Sequence, residues 1–170
     1  MSKRSLVSRP TPTIRIPYDF DYTALLGTAV YAFAYYEWVV IYLIQQFEPG
    51  FVHRYCRGLP MPSGGVKNKF VNILKNPVAS YTSVSRDELR ACCDRFAALI
   101  ATRNALIHAH PVTDSDGGQI LYRQGRLDRS LPDMKWSKEA VERAIQDFDA
   151  AACEANALLQ RLLVEKSARK

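Results

Sequence analysis

At 170 residues, 48% hydrophobic and 24% charged, the chain is long enough to bury one core without disulfides or metal. That balance excludes disordered and collagen-like classes, and the polar, basic first residues lack the apolar segment of a signal peptide. The net charge of +6 is uneven: residues 1–80 hold nine basic and four acidic side chains, +5, while residues 81–170 hold fourteen and thirteen, +1. A basic N-terminal half favours a polyanionic partner, nucleic acid first. Cys56, Cys92, Cys93 and Cys153 show no C-x-x-C spacing, which fits reduced thiols better than a disulfide framework or a zinc site.

Residues 1–17 carry Lys3, Arg4, Arg9 and Arg15, three prolines and no acid, and are expected to form a flexible arm ahead of a single domain over 18–170. From residue 22 to 47, Ala29, Phe33, Tyr36, Val40, Leu43 and Phe47 recur at spacings of three and four, predicting a long helix. Asp21 or Thr23 would cap it, and Pro49-Gly50 would end it. Tyr31, Tyr35, Trp38 and Tyr42 make it apolar nearly all round, so it is either central or shared between two subunits. Its most apolar run, residues 38–44, is too short to span a bilayer, so no membrane is expected and a cytoplasmic location is. Glu37, the sole charge between Asp21 and Glu48, needs a partner or an escape to solvent.

Residues 51–65 read as a connector, broken by Gly58, Pro60, Pro62, Gly64 and Gly65. His53 and Cys56 there lack a second pair of ligands, and no metal is expected. A short helix over 66–76 would show Lys67, Lys69 and Lys75, either as ordinary solvated lysines or as a phosphate track. Ser85-Arg86-Asp87-Glu88 has the form of a capping box. Behind it, Leu89, Cys93, Phe96, Ile100 and Ile107 describe an apolar stripe that includes Arg103. A guanidinium on such a stripe requires something negative to meet it. Asn104 and His108 are four apart and share a face, and Pro111 turns the chain so that the helix ends near His108.

Residues 111–132 break the helical pattern, with turns at Asp116-Gly117-Gly118 and Gln124-Gly125 around a short strand at 120–123. A small hairpin or ordered loop carrying Arg123 and Arg126 is expected. Ser137 would cap a last long helix built on Val141, Ala144, Phe148, Ala152, Ala155, Leu159 and Leu162. The fold class is therefore all-α: an up-and-down bundle of four to five helices, two of them long, with the hairpin inserted after the Arg103–His108 helix.

Arg103-Asn104-x3-His108, at the end of a capped helix in such a chain, resembles the HEPN domains, which share an Arg, a following polar residue and a His after four to six positions. The resemblance implies a metal-independent endoribonuclease without cofactor, often a toxin or antiphage effector paired with an antitoxin, acting as a homodimer on RNA. In it Arg103 would stabilise charge on the phosphate, and His108 would move the proton of a ribose 2′-OH attack that leaves a 2′,3′-cyclic phosphate. Asn104 would orient the histidine or the substrate, with His110 and Glu37 as accessories and Lys67, Lys69, Lys75, Arg123 and Arg126 holding RNA. The same residues have plain structural readings: Arg103 paired with Glu37, Asn104 on the surface, His108 bonded at a helix end. Other family members only bind RNA or a partner protein, so a non-catalytic helical dimer is the alternative.

Overall fold

The computed structural model describes residues 15–57, 61–75, 82–125 and 132–169. Five helices carry the fold: α1 (Phe20–Phe47), α2 (Phe51–Arg57), α3 (Ser63–Lys75), α4 (Arg86–Ile107) and α5 (Lys138–Ala168). Between α4 and α5, strands β1 (His110–Thr113), β2 (Gln119–Arg123) and β3 (Met134–Trp136) form one antiparallel sheet in the order β1-β2-β3. The expected all-α bundle is the architecture observed; where a small hairpin or ordered loop was expected stands a three-stranded sheet, whose β2 is the expected strand at 120–123. Arg126 and most of the basic arm lie outside the described residues.

The N-terminal cap of α1 is Asp19, not Asp21 or Thr23, because its carboxylate accepts from the Tyr22 N–H at 2.9 Å. Glu48 ends the helix, and Gly50 at φ 82° supplies the left-handed turn after it. The expected connector after residue 51 is half helical: α2 fills 51–57, and α3 starts three residues earlier than expected, at Ser63 after Pro62. Glycine and proline there end one helix and start the next, which reading them only as breakers misses. The Ser85–Glu88 capping box is present in both directions, and Ser137 caps α5 as expected.

The core lies between α1, α4 and α5. Phe33, Tyr36, Phe96 and Phe148 meet there as a ring cluster, with centroids 5.2–6.4 Å apart. Across α1 from that cluster, Thr28, Tyr31, Tyr35, Trp38 and Tyr42 form an exposed seam at alternating spacings of three and four; Tyr31 is 73% exposed. Residues 38–44 are thus buried on one face only, with Trp38 and Tyr42 exposed. As a whole, α1 is long and apolar enough to cross a membrane by length and composition, which that run alone is not; about a third of its most apolar stretch is buried in this fold.

The sheet is fixed to the bundle by two side chains. Tyr22 donates its hydroxyl proton to the Trp136 carbonyl at 2.6 Å and accepts from the Leu121 N–H at 2.9 Å. Trp136, 1% exposed, donates from its indole to the Ala105 carbonyl at 3.2 Å, tying β3 to the last turn of α4.

Two carboxylates clamp the opposite end. Arg161 first, then Ser85, hold the Glu88 carboxyl down at about 2. The donors of Ser83, then the Thr82 backbone N–H, hold Glu165 at about 2 and anchor residues 82–83 to α5. Both acids titrate lower folded than the 4.5 of a free glutamate, so their stabilisation is complete above about 4.5 and is lost as pH falls toward about 2. The thermal midpoint is expected to drop through that window, and to drop less in a Glu88→Gln/Glu165→Gln double variant. An equal acid loss in the variant would place the sensitivity elsewhere.

Candidate active site

Arg103 lies in the penultimate turn of α4, half-buried, with its guanidinium carbon 5.0 Å above the centre of the Phe33 ring. It donates to the Asn104 side-chain oxygen at 3.0 Å and to the hydroxyl of Ser63, a buried residue at the start of α3. Its other N–H donors carry no hydrogen bond among the described residues. Together, Asn104, Ser63 and Phe33 fix the plane of the guanidinium before any ligand arrives. That is the preorganisation anion stabilisation requires.

The guanidinium lines a cleft of about 180 Å³ between α1 and α4, walled by Val30, Phe33, Ala34, Glu37 and Ile107. Glu37 faces the same space but forms no ion pair with Arg103 among the described residues; its Oε1 is buried without a hydrogen-bond partner. The structural pairing of the two, open from sequence, is therefore not what this geometry shows. Ile107, expected on the buried stripe, is 43% exposed at the mouth of the cleft, because in the last turn of α4 it is Ala105 and Leu106 that are covered instead.

His108 is the C-cap of α4 and is exposed; its backbone N–H donates to the Asn104 carbonyl at 3.1 Å. It lies outside the walls of the cleft that holds Arg103. Five positions along a helix turn a side chain by about 140°, so the two point apart within one chain. Asn104 orients the arginine rather than the histidine. His110 begins β1, exposed, with its ring edge-on to Tyr122 at 5.7 Å.

The basic residues expected to hold RNA are dispersed. Lys67 follows Ser63 by one turn of α3, and Lys75 closes that helix. Lys69 is ion-paired with Glu48 at 2.5 Å, so its charge is partly compensated. Arg123 donates to the Pro132 carbonyl at 3.2 Å and helps to hold the sheet.

Two neighbours of the cleft went unmarked in the sequence. Ser63, the acceptor for Arg103, had only its place after Pro62 as a signal. Tyr55 packs at a tilt against Trp38 with centroids 5.8 Å apart, and burial, then the Glu37 carboxylate, pushes its hydroxyl above the usual tyrosine range. Nothing local in the sequence sets either residue beside Arg103, since both contacts arise from how α2 and α3 fold back. No protein-family model, curated protein or solved structure matches the chain.

Proposed function

We propose that this chain is a metal-independent endoribonuclease of HEPN type, working as a cytoplasmic toxin or defence effector. The observation that carries the reading is Arg103, held by Asn104 and Ser63 at the mouth of a cleft with N–H donors to spare, five residues before an exposed His108. In the proposed reaction the ribose 2′-OH attacks the adjacent phosphorus and the 5′-oxygen leaves. His108 takes the 2′-OH proton or supplies one to the leaving oxygen, and Arg103 neutralises the charge building on the phosphate. The products are a 2′,3′-cyclic phosphate and a 5′-OH.

Because Arg103 and His108 of one chain diverge, the reading requires a second copy to complete the pair. The seam of Thr28, Tyr31, Tyr35, Trp38 and Tyr42 supplies the surface: it is uncharged, spaced for helix-to-helix packing, and runs beside the cleft wall of Val30, Ala34 and Glu37. Sedimentation at micromolar concentration is expected to give the mass of two chains, and Tyr35→Asp/Trp38→Asp that of one. A wild-type mass of one chain would remove the composite site.

Incubating the purified chain with RNA and EDTA tests the activity: cleavage with cyclic-phosphate ends is expected to survive chelation. Binding without cleavage at any pH between 6 and 8 would instead favour a non-catalytic helical dimer that binds RNA or a partner protein such as an antitoxin. One observation favours this second reading: Arg103 is already engaged by Ser63, Asn104 and Phe33, as a purely structural arginine would be.

A further inference from the structure

Away from Arg103, α4 and α5 separate around a groove of about 510 Å³ with the α1 residue Tyr36 at its floor. Small side chains open it: Ala91 on one wall, Ala151 and Ala157 on the other. A groove of this volume is within the range that takes small molecules.

Its polar groups converge. Tyr36 is 1% exposed, yet its hydroxyl has no hydrogen-bond partner among the described residues. The hydroxyl oxygen opens onto the groove, so water or a ligand there is the partner left to it. Cys92 lines the groove beside it. Burial pushes the Tyr36 hydroxyl above its usual range and the Cys92 thiol up to about 12, so both keep their protons at neutral pH and act as donors. At the mouth, Arg95 and Glu154 pair at 3.1 Å, with side chains 39% and 61% exposed. A pair this open is weak and readily exchanged. Glu88 also borders the groove, but Arg161 and Ser85 already hold its carboxylate.

We propose that this groove binds a small carboxylate with an apolar body, of single-ring aromatic size, whose carboxylate displaces Glu154 from Arg95 and accepts from Tyr36. The ring lies against the alanine walls, and Cys92 stays a neutral neighbour. Glu154 is the resident stand-in: its own carboxylate occupies Arg95 until a ligand replaces it. This site is independent of the ribonuclease reading and shares no residue with the Arg103 cleft.

Benzoate is the probe, titrated into the ¹⁵N-labelled full chain with benzyl alcohol as the uncharged control. Shifts are expected to concentrate at residues 91–95 and 151–158, with benzyl alcohol binding more weakly. Glu154→Gln frees the guanidinium and is expected to tighten benzoate by up to about fivefold, Arg95→Met to weaken it by at least as much, and Tyr36→Phe to weaken it severalfold. Arg95 and Glu154 are partly exposed, so thermal unfolding should show those two variants folded. Benzoate shifts scattered around Lys67 and Lys75, or an affinity indifferent to both Arg95→Met and Glu154→Gln, would overturn the site.

Discussion

Arg103→Ala is expected to lower the proposed RNA cleavage by about 10²–10³-fold, the usual loss when a preorganised donor to a developing anion is removed. The guanidinium lines the cleft with N–H groups left over, and among the described residues no other cationic side chain lines it. Arg103→Lys restores the charge but not the planar fork that Asn104 and Ser63 hold, so it should rescue little. Stability must be read in parallel, because either change leaves the buried Ser63 hydroxyl without its donor, a loss of about 1–3 kcal/mol. His108→Ala gives the cleaner comparison. His108 is exposed, so stability should move by no more than about 0.5 kcal/mol while cleavage falls by about 10²–10⁴-fold. Mixing the two inactive variants should restore part of the activity if the pair is built across two chains. No recovery in the mixture, with both variants folded and paired, would mean that each chain acts alone.

The largest effect on stability is expected at Trp136. Replacing it with alanine removes a side chain that is 1% exposed and should cost about 3–5 kcal/mol, measured by denaturant unfolding. Trp136→Phe keeps most of the buried ring but leaves the Ala105 carbonyl unpaired, so it should cost about 1–3 kcal/mol. If the two variants lost the same amount, the indole hydrogen bond rather than packing would dominate. Because Ala105 directly follows Asn104, Trp136→Phe should also lower cleavage through looser placement of the α4 end.

Local signals in the sequence marked several element ends set by neighbouring residues, though not the Asp19 cap of α1, nor α2, nor the start of α3 at Ser63. The capping box at Ser85, the Ser137 cap and the stop at Pro49-Gly50 each act within one helical turn, and all three stand where expected. The stripe of α5 was equally plain, because its apolar positions face a single neighbourhood. Less legible was α1, whose two opposite faces are both apolar: periodicity cannot tell a seam facing the core at Phe33 and Tyr36 from one facing solvent at Tyr31 and Tyr35. The candidate site was legible as a string but not as a place. Arg103, Asn104 and His108 are neighbours in sequence, while Ser63 and Glu37, which share the cleft region with Arg103, come from other helices. Strands β1 and β3 were missed because four and three residues give too few alternations to read.

The Tyr22 hydroxyl bears on the order in which the chain assembles. It joins groups 99 and 114 residues away, so its two bonds cannot form until the chain from α1 to β3 has been drawn together. The helices rest on short-range hydrogen bonds and can gather earlier. The three strands pair over short separations and can also form early. Their docking on the first turn of α1 is the long-range step and is expected to come later. Through Trp136 and Ala105 that docking reaches the tip of α4, so damage at the very start of α1 is expected to loosen the end of the helix that carries Arg103 and His108.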